Sequence, residues 1–242
     1  RIYKNINNTW TQIGSDIDGE ATGDRSGMAV HLSADGSVVA VSATHNDGNG
    51  TDSGHVRIYK NINNTWTQVG SDIDGEAAGD LSGTSVSISN NGTLVAIGAY
   101  ENDGNGMNSG HIRIYQNVNN TWIQVGSDID GEADEDAFGI SVSLSSNGTV
   151  LAVGAPRNND NGIESGHVRV YQINFDTTAP SAPFSLKNTS QTNDTTPTIK
   201  GNAEAGSTVT LYNGSISDKK TITYNVSVEA KTEAHGSYGS GS

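Results

Sequence analysis

Cysteine is absent from this chain of 242 residues, so disulfide bonds cannot stabilise it. No stretch approaches the run of about 18 apolar residues that a membrane-spanning helix requires, so we expect no membrane insertion. The first repeat is not preceded by a basic segment and an apolar run, which together form a secretion signal. We therefore expect any such signal to lie upstream in a longer protein. Only 4 prolines but 30 glycines are present, which is typical of turn-rich β structure.

Basic residues are scarce, with 13 lysines and arginines against 27 acidic residues. The net charge is −4 for residues 1–56, −4 for 57–112 and −6 for 113–168, whereas residues 169–242 are neutral. A surface of this kind repels phosphate backbones and attracts cations, so we expect no nucleic-acid partner. A divalent cation and another protein or cell-surface ligand are the partners that the charge favours.

A repeat of 56 residues is the strongest feature of the sequence. The first two units, 1–56 and 57–112, are identical at 38 of 56 positions, and the third is 113–168. A constant period of this length is typical of propellers, solenoids and arrays. The step is marked by four triplets: Arg1-Ile2-Tyr3, Arg57-Ile58-Tyr59, Arg113-Ile114-Tyr115 and Arg169-Val170-Tyr171.

Each unit contains four short runs in which apolar and polar residues alternate, as half-buried strands require. In the third copy we name them strand a (140–144), strand b (150–153), strand c (167–171) and strand d (121–125). Four antiparallel strands in a unit of this length predict an all-β fold of about three β-propeller-type blades. A stacked β-solenoid is the alternative architecture.

The third unit reads Phe138-Gly139, then Gly154-Ala155-Pro156, then Gly166-His167, and this order resembles the FG-GAP repeat of integrin α-type propellers. The resemblance covers residues 1–172. It implies an extracellular or cell-surface, adhesive or ligand-presenting protein, and blade hairpins that often carry calcium. The first unit departs from the motif, with Ser26-Gly27 in place of Phe-Gly.

Strand d of the third unit is missing, and residues 1–17 supply an unmatched c–d pair. Unpaired strand edges invite association, so we expect self-association through these edges or additional blades in a longer chain.

The loops between strands b and c resemble the start of the family's calcium hairpins. Oxygen ligands at alternate positions of a glycine-bearing loop suit Ca²⁺. The same Asn-Asp-Gly residues are also those that an ordinary exposed turn prefers, and that alternative stays open. The candidate ligands are Asp47, Asn49, Glu101, Asp103, Asn105, Asp160 and Asn161.

In an up-and-down blade the b→c and d→a loops emerge on one face, and the a→b and c→d loops on the other. The first face, here called the acidic face, carries Asp47, Asp103 and Asp160 and four acidic residues in each d→a loop. The opposite face carries five N-glycosylation sequons, which are also turn sequences. Their asparagines are Asn7, Asn63, Asn91, Asn119 and Asn147, and we expect a glycoprotein if the source organism modifies exported proteins.

An active site usually needs one set of polar residues that is not repeated in the chain, whereas His55, His111 and His167 recur in every unit. We therefore expect no catalysis and a structural role for these histidines. One tryptophan also recurs in strand d of each unit. We interpret it as packing between blades, with a glycan-binding propeller lectin as the alternative.

After the repeats, the sequence predicts a linker at 173–183, a bacterial Ig-like β-sandwich module at 184–235 and a flexible tail at 236–242. The module resembles spacer domains of bacterial surface proteins. The whole chain is therefore predicted to be an extracellular, non-enzymatic structural or adhesive surface protein with calcium as its cofactor. A self-assembling filament or surface-layer subunit, completed by strand exchange, is the other alternative.

Overall fold

The computed structural model describes residues 1–174, and the predicted linker, Ig-like module and tail lie outside this range except for residues 173 and 174. The described part contains no helix long and apolar enough to cross a membrane. Its strands are β1 (Tyr3–Ile6), β2 (Thr9–Gln12), β3 (Ser26–Leu32), β4 (Val38–Ala43), β5 (His55–Ile62), β6 (Thr65–Gln68), β7 (Ile73–Asp74), β8 (Ser85–Ile88), β9 (Leu94–Ala99), β10 (His111–Val118), β11 (Thr121–Gln124), β12 (Ile129–Asp130), β13 (Ser141–Leu144), β14 (Val150–Ala155) and β15 (His167–Gln172).

These strands form successive antiparallel sheets that we call blades. The first blade has the order β3-β4-β5-β6, the second has the order β8-β9-β10-β11, and the third consists of β13-β14-β15. A separate hairpin, β1-β2, precedes the first blade. The predicted fold class is confirmed: the described chain is all-β, with propeller-type blades built from strands a to d.

One element was not predicted, because Asp-Ile-Asp-Gly-Glu looked like a plain acidic loop. Ile73 and Asp74 form the short strand β7, which pairs with Val56 and His55 at the start of β5. The second blade repeats this pairing between β12 and β10. Two residues are too few to show an alternating pattern in the sequence. Strand d pairs only with the C-terminal half of strand c, so the N-terminal half of strand c is left to pair with the short strand.

The central strand of each complete blade is buried on both faces. Every residue of β4 and of β9 is buried, which explains why these strands read as continuous apolar runs rather than alternating ones. Between the first two blades lies a hydrophobic core to which both sheets contribute, formed by Val38, Ala40, Val56, Ile58, Ile73, Ile88, Val95 and Ile97. Burial of this interface, rather than hydrogen bonding within one sheet, orders neighbouring blades.

Strand a of each blade is also tied to strand a of the next. The backbone N–H of Ile88 donates to His31 Nδ1 at 2.7 Å, and the N–H of Leu144 donates to Ser87 Oγ at 2.9 Å. His31 and Ser87 occupy the same position of consecutive units. A single histidine with no partner in the sequence thus acts as a hydrogen-bond acceptor between blades.

The loops between strands a and b stack in register along one face. Ala34 N–H donates to Asn90 O at 3.0 Å, and Asn90 N–H donates to Ser146 O at 2.9 Å. Each bond joins equivalent loops of neighbouring blades, so the units repeat in space with the regularity that they have in the sequence.

The tryptophans of strand d link each blade to the preceding segment. Trp66 Nε1 donates to Ile13 O at 3.1 Å, and Trp122 Nε1 donates to Val69 O at 2.8 Å. Trp122 also packs against the hydrophobic core, whereas Trp10 in the leading hairpin is 70% exposed. The packing interpretation of Trp66 and Trp122 is therefore supported by their geometry.

The third blade ends in an open edge within residues 1–174. Strand β15 pairs with β14 alone there, and Val168 and Val170 on β15 are exposed. These observations agree with the strand inventory expected from the sequence. Self-association through this edge stays a prediction.

Trp122→Ala should lower the free energy of unfolding by about 2–3 kcal/mol, because it removes a part-buried ring and its hydrogen bond from a blade interface. Trp10→Ala is the matched control, since the same side chain is exposed there, and it should change stability by less than about 0.5 kcal/mol. Urea unfolding followed by circular dichroism measures both values. Equal effects of the two substitutions would contradict the packing role.

Candidate functional site

The b→c and d→a loops meet on the acidic face. Gly75 N–H donates to Gly54 O at 2.8 Å, and the second blade repeats this bond from Gly131 to Gly110 at 2.7 Å. Gly54 and Gly110 have φ of 74° and 77°, and a Cβ on either glycine would collide with the carbonyl of Ser82 or Phe138. The Gly-His sequence at the start of strand c therefore serves close backbone approach between loops.

The predicted calcium ligands of the first two loops lie on this face, and the two aspartates among them also hold their own turns. Asp47 Oδ1 accepts a hydrogen bond from Asp52 N–H at 2.8 Å, and Asp103 Oδ1 accepts one from Asn108 N–H at 2.7 Å. One carboxylate oxygen of each aspartate is thus engaged within the loop.

The asparagines at the next ligand position dock the following loop. Asn49 Nδ2 donates to Gly75 O at 2.8 Å, and Asn105 Nδ2 donates to Gly131 O at 2.8 Å. Glu101 accepts a hydrogen bond from the Tyr100 hydroxyl at 2.5 Å, which raises the pKa of Tyr100. These contacts agree with the turn interpretation, and calcium binding by these residues stays a prediction.

The third b→c loop differs from the other two. Asp160 and Asn161 are exposed, and Asp160 N–H donates to Asn158 Oδ1 at 3.1 Å. Among the predicted ligands of the described chain, Asp160 alone lies in a group with other acidic or histidine side chains, namely Glu132 and His167.

One acidic residue of each d→a loop is buried rather than displayed, which corrects the expectation that all four lie on the acidic surface. Asp24 Oδ2 accepts hydrogen bonds from Ala21 N–H at 3.0 Å and from Asn46 Nδ2 at 3.1 Å. Asp80 and Asp136 make the same two bonds in their blades. The aspartate ties the d→a loop to the b→c loop, and its hydrogen bonds offset the cost of burial.

Burial acts to raise the pKa of Asp24, but the hydrogen bonds from Asn46 and Ala21 outweigh it and lower the pKa. A carboxyl group whose pKa is lowered in the folded state stabilises the fold at pH values above its unfolded pKa. Asp24 thus contributes stability that is lost as the pH falls below about 4.

The histidines that open strand c lie beside carboxylates, which the sequence interpretation missed. His111 Nδ1 is 3.7 Å from Glu76 Oε2 and 3.8 Å from Asp128 Oδ2. Such mixed groups of side chains can hold a metal ion. Three of them occur in the described residues: Glu20, His55 and Asp72; Glu76, His111 and Asp128; and Glu132, Asp160 and His167.

Arginine and glutamine side chains surround the same carboxylates. Arg113 forms ion pairs with Glu76 and with Asp128, and Arg57 contacts Glu20 at 3.3 Å. The signal that could have revealed these groups is the constant 56-residue step that relates Glu, His, Arg and Asp in the first two groups.

Burial lowers the pKa of His55 and of His111, although Asp72 and Asp128 respectively act to raise it. Both imidazoles therefore stay neutral near neutral pH and keep one nitrogen lone pair. Burial raises the pKa of Asp74, and its acidic neighbour Asp72 adds to the effect.

The sequon asparagines are exposed and serve turns. Asn7, Asn63 and Asn119 have φ near 50° in the c→d hairpins. Asn91 and Asn147 accept hydrogen bonds from a following threonine backbone N–H, and Asp35 makes the equivalent bond in the first unit. The same turn therefore forms without a sequon, and glycosylation stays a prediction.

A shallow depression of about 360 Å³ lies between Trp122 and the d→a loop that contains Asp72. The ring of Trp122 packs against the hydrophobic core, and its indole nitrogen donates to Val69 O. The geometry favours packing over stacking on a sugar.

The fold and loops define a repeat protein of propeller-type blades with an acidic loop face. Residues 71–115 and 128–171 each match the family model of the FG-GAP repeat. Each match runs from a d→a loop through strands a and b into strand c, so the matches cover most of the third blade and the second blade without its strand d. A comparison with curated proteins found no match.

Asp24→Asn should lower the melting temperature at neutral pH, because the amide places a donor against the Asn46 amide and weakens the bond to Ala21. The expected loss is about 1 kcal/mol. Below pH 4 the difference in melting temperature between the variant and the unmodified chain should shrink, because protonation of the Asp24 carboxylate removes the same stabilisation. Thermal melts between pH 3 and 7 test this, with exposed Asp134→Asn as control; a difference that is constant with pH would contradict the role of Asp24.

Proposed function

We propose that this chain is a structural or adhesive module of an extracellular or cell-surface protein and that it has no catalytic activity. The observation that carries the proposal is the threefold repetition of polar groups: the buried aspartates, the strand c histidines and the loop turns recur from blade to blade. Repetition of this kind suits a scaffold that presents one surface several times. FG-GAP repeats occur in adhesion and surface proteins, which supports the same role.

The acidic face is the proposed contact surface. Its exposed carboxylates include Asp18, Asp47, Asp103, Asp134 and Asp160. A partner with a basic, hydrogen-bond-donating surface complements this charge, and electrostatic complementarity accelerates association and selects the partner. The opposite face, with its asparagine turns, carries little charge and is the natural internal control.

The binding test uses the labelled 242-residue chain on intact cells and extracellular matrix of the source organism. A variant with Asp18, Asp47, Asp103 and Asp134 changed to asparagine should bind at least tenfold more weakly. A variant with Asn7, Asn63 and Asn119 changed to glutamine should bind as the original does. Added salt should weaken binding, because exposed charges are screened. Equal binding by both variants, or no binding by any, would contradict an acidic contact face.

Calcium is proposed as a stabilising ion of the first two b→c loops. The turn bonds use one oxygen of Asp47 in the first loop and one of Asp103 in the second, and leave the other oxygen free. Glu101 adds a second carboxylate to the second loop. Oxygen donors of this kind suit Ca²⁺. The second loop should therefore bind Ca²⁺ more tightly than the first. The third loop, which has Arg157 at its start, should bind Ca²⁺ most weakly.

Millimolar Ca²⁺ should raise the melting temperature, because an ion that binds only the folded state stabilises it. Asp103→Asn should remove most of the shift, whereas Asp134→Asn should leave it unchanged. Differential scanning calorimetry with Ca²⁺ and with a chelator measures both. A melting temperature that is independent of Ca²⁺ would contradict a structural calcium ion.

A further inference from the structure

His111 opens strand β10 and is only 2% exposed, yet its Nδ1 atom has no hydrogen-bond partner within the described residues. A buried polar atom normally has one, so this nitrogen calls for an explanation. The groups that face it are two carboxylate oxygens, Glu76 Oε2 and Asp128 Oδ2, at 3.7 and 3.8 Å. Both distances are too long for hydrogen bonds.

The carboxylates are held in place from their other sides. Arg113 contacts Glu76 through Oε1 and Asp128 through Oδ1, and Gln124 Nε2 also donates to Asp128 Oδ1 at 2.6 Å. The second oxygen of each carboxylate is therefore turned towards the histidine nitrogen. Outer contacts that fix the orientation of potential ligands are typical of metal centres.

The spacing suits an ion of small radius. Ligand atoms that lie 2.0–2.2 Å from a common ion are about 3.3–3.6 Å apart at tetrahedral angles. The two nitrogen–oxygen distances, 3.7 and 3.8 Å, lie just above this range, so a slight contraction would complete the coordination. Asp128 is 26% exposed and Glu76 is 43% exposed, which leaves the carboxylate side open to an entering ion.

We propose that Glu76, His111 and Asp128 form a binding site for a divalent transition-metal ion, of which Zn²⁺ is the representative. One neutral imidazole and two carboxylates leave a fourth position for water. Calcium is the less suitable ion here because it prefers oxygen ligands throughout. The site is separate from the b→c loop positions proposed for calcium.

The first cluster repeats the same arrangement. His55 Nδ1 is 3.6 Å from Asp72 Oδ2 and 3.9 Å from Glu20 Oε2. Arg57 contacts Oε1 of Glu20, and Gln68 donates to Oδ1 of Asp72. The same oxygens are engaged and the same oxygens are left facing the histidine, so we expect this cluster to bind the ion in the same way. The buried nitrogen without a hydrogen-bond partner is Nε2 in His55, whereas it is Nδ1 in His111.

The third cluster is built differently. Arg169 contacts Glu132 through Oε2, which is also the oxygen nearest to His167 Nδ1. His167 is more exposed than its counterparts, with 18% of its side chain accessible. An arginine on the ligand oxygen competes with a cation, so we expect this group to bind weakly.

A metal ion bound by Glu76, His111 and Asp128 would connect elements on both sides of a blade. Glu76 lies in the loop before the second blade, His111 begins its strand c, and Asp128 lies in the loop that follows. A bound ion would therefore fix two d→a loops to the edge of one sheet and stabilise the acidic face.

The test is isothermal titration of the chelator-treated 242-residue chain with Zn²⁺, with bound zinc counted by atomic absorption after gel filtration. The expected result is one ion for each of the first two clusters. Glu76→Gln keeps the shape of an exposed side chain. It should abolish the binding of one zinc ion or weaken that binding at least tenfold. Asp128→Asn should do the same, and His111→Gln should abolish binding at that site if the variant folds. Ca²⁺ should not displace the zinc.

His45→Ala is the matched control, because His45 lies in a b→c loop outside the three clusters. It should leave the zinc stoichiometry unchanged. Circular dichroism of the metal-free variants checks that each is folded. Unchanged stoichiometry in folded Glu76→Gln and Asp128→Asn, or loss of zinc in His45→Ala alone, would overturn the proposal, as would the absence of zinc binding in the original chain.

Discussion

The packing of each blade against the next is the interaction on which the rest of the structure depends. A single four-stranded sheet of this length cannot bury its apolar residues alone, and strands β4 and β9 are fully buried in the packed arrangement. Trp66 and Trp122 close the outer end of this packing, and the stacked a→b loops close one face. The loop positions on the acidic face follow from the same stacking.

Polar residues complete the packing instead of opposing it. Buried Asp24, Asp80 and Asp136 would be costly without partners. Each accepts one hydrogen bond from an asparagine amide of the adjoining b→c loop and one from a backbone N–H of its own loop. His31 and Ser87 accept hydrogen bonds from the backbone of strand a in the next blade. The aspartate bonds thus fix the two loops of one blade to each other, and the bonds to His31 and Ser87 fix the register between neighbouring blades.

The strands, their order and the division into two faces could be predicted, because alternation and the 56-residue step are local and repetitive signals. The Asn-Asn hairpins were predictable for the same reason, since asparagine tolerates positive φ. The burial of Asp24 and its equivalents was not, because a carboxylate in a glycine-rich loop normally faces water.

The carboxylate and histidine groups escaped prediction for a different reason. Glu76, His111 and Asp128 come from three separate elements, and only the stacking of loops brings them together. The b→c loop residues resembled a calcium hairpin locally, yet several of them are engaged in turns and in docking the next loop. Local sequence therefore points to side chains within single loops and misses groups that only the stacking of loops brings together. Calcium binding by the b→c loops stays a prediction.

A designed disulfide tests the packing of consecutive blades most directly, because the chain has no cysteine of its own. Ala34→Cys and Asn90→Cys together place thiols in adjacent loops whose backbones are joined by a 3.0 Å hydrogen bond. The stacked arrangement predicts rapid oxidation to an intramolecular disulfide, whereas Ala34→Cys with Ser146→Cys, two blades apart, should stay reduced. Failure of the first pair to form the bond, or equal oxidation of both pairs, would contradict the arrangement of the blades.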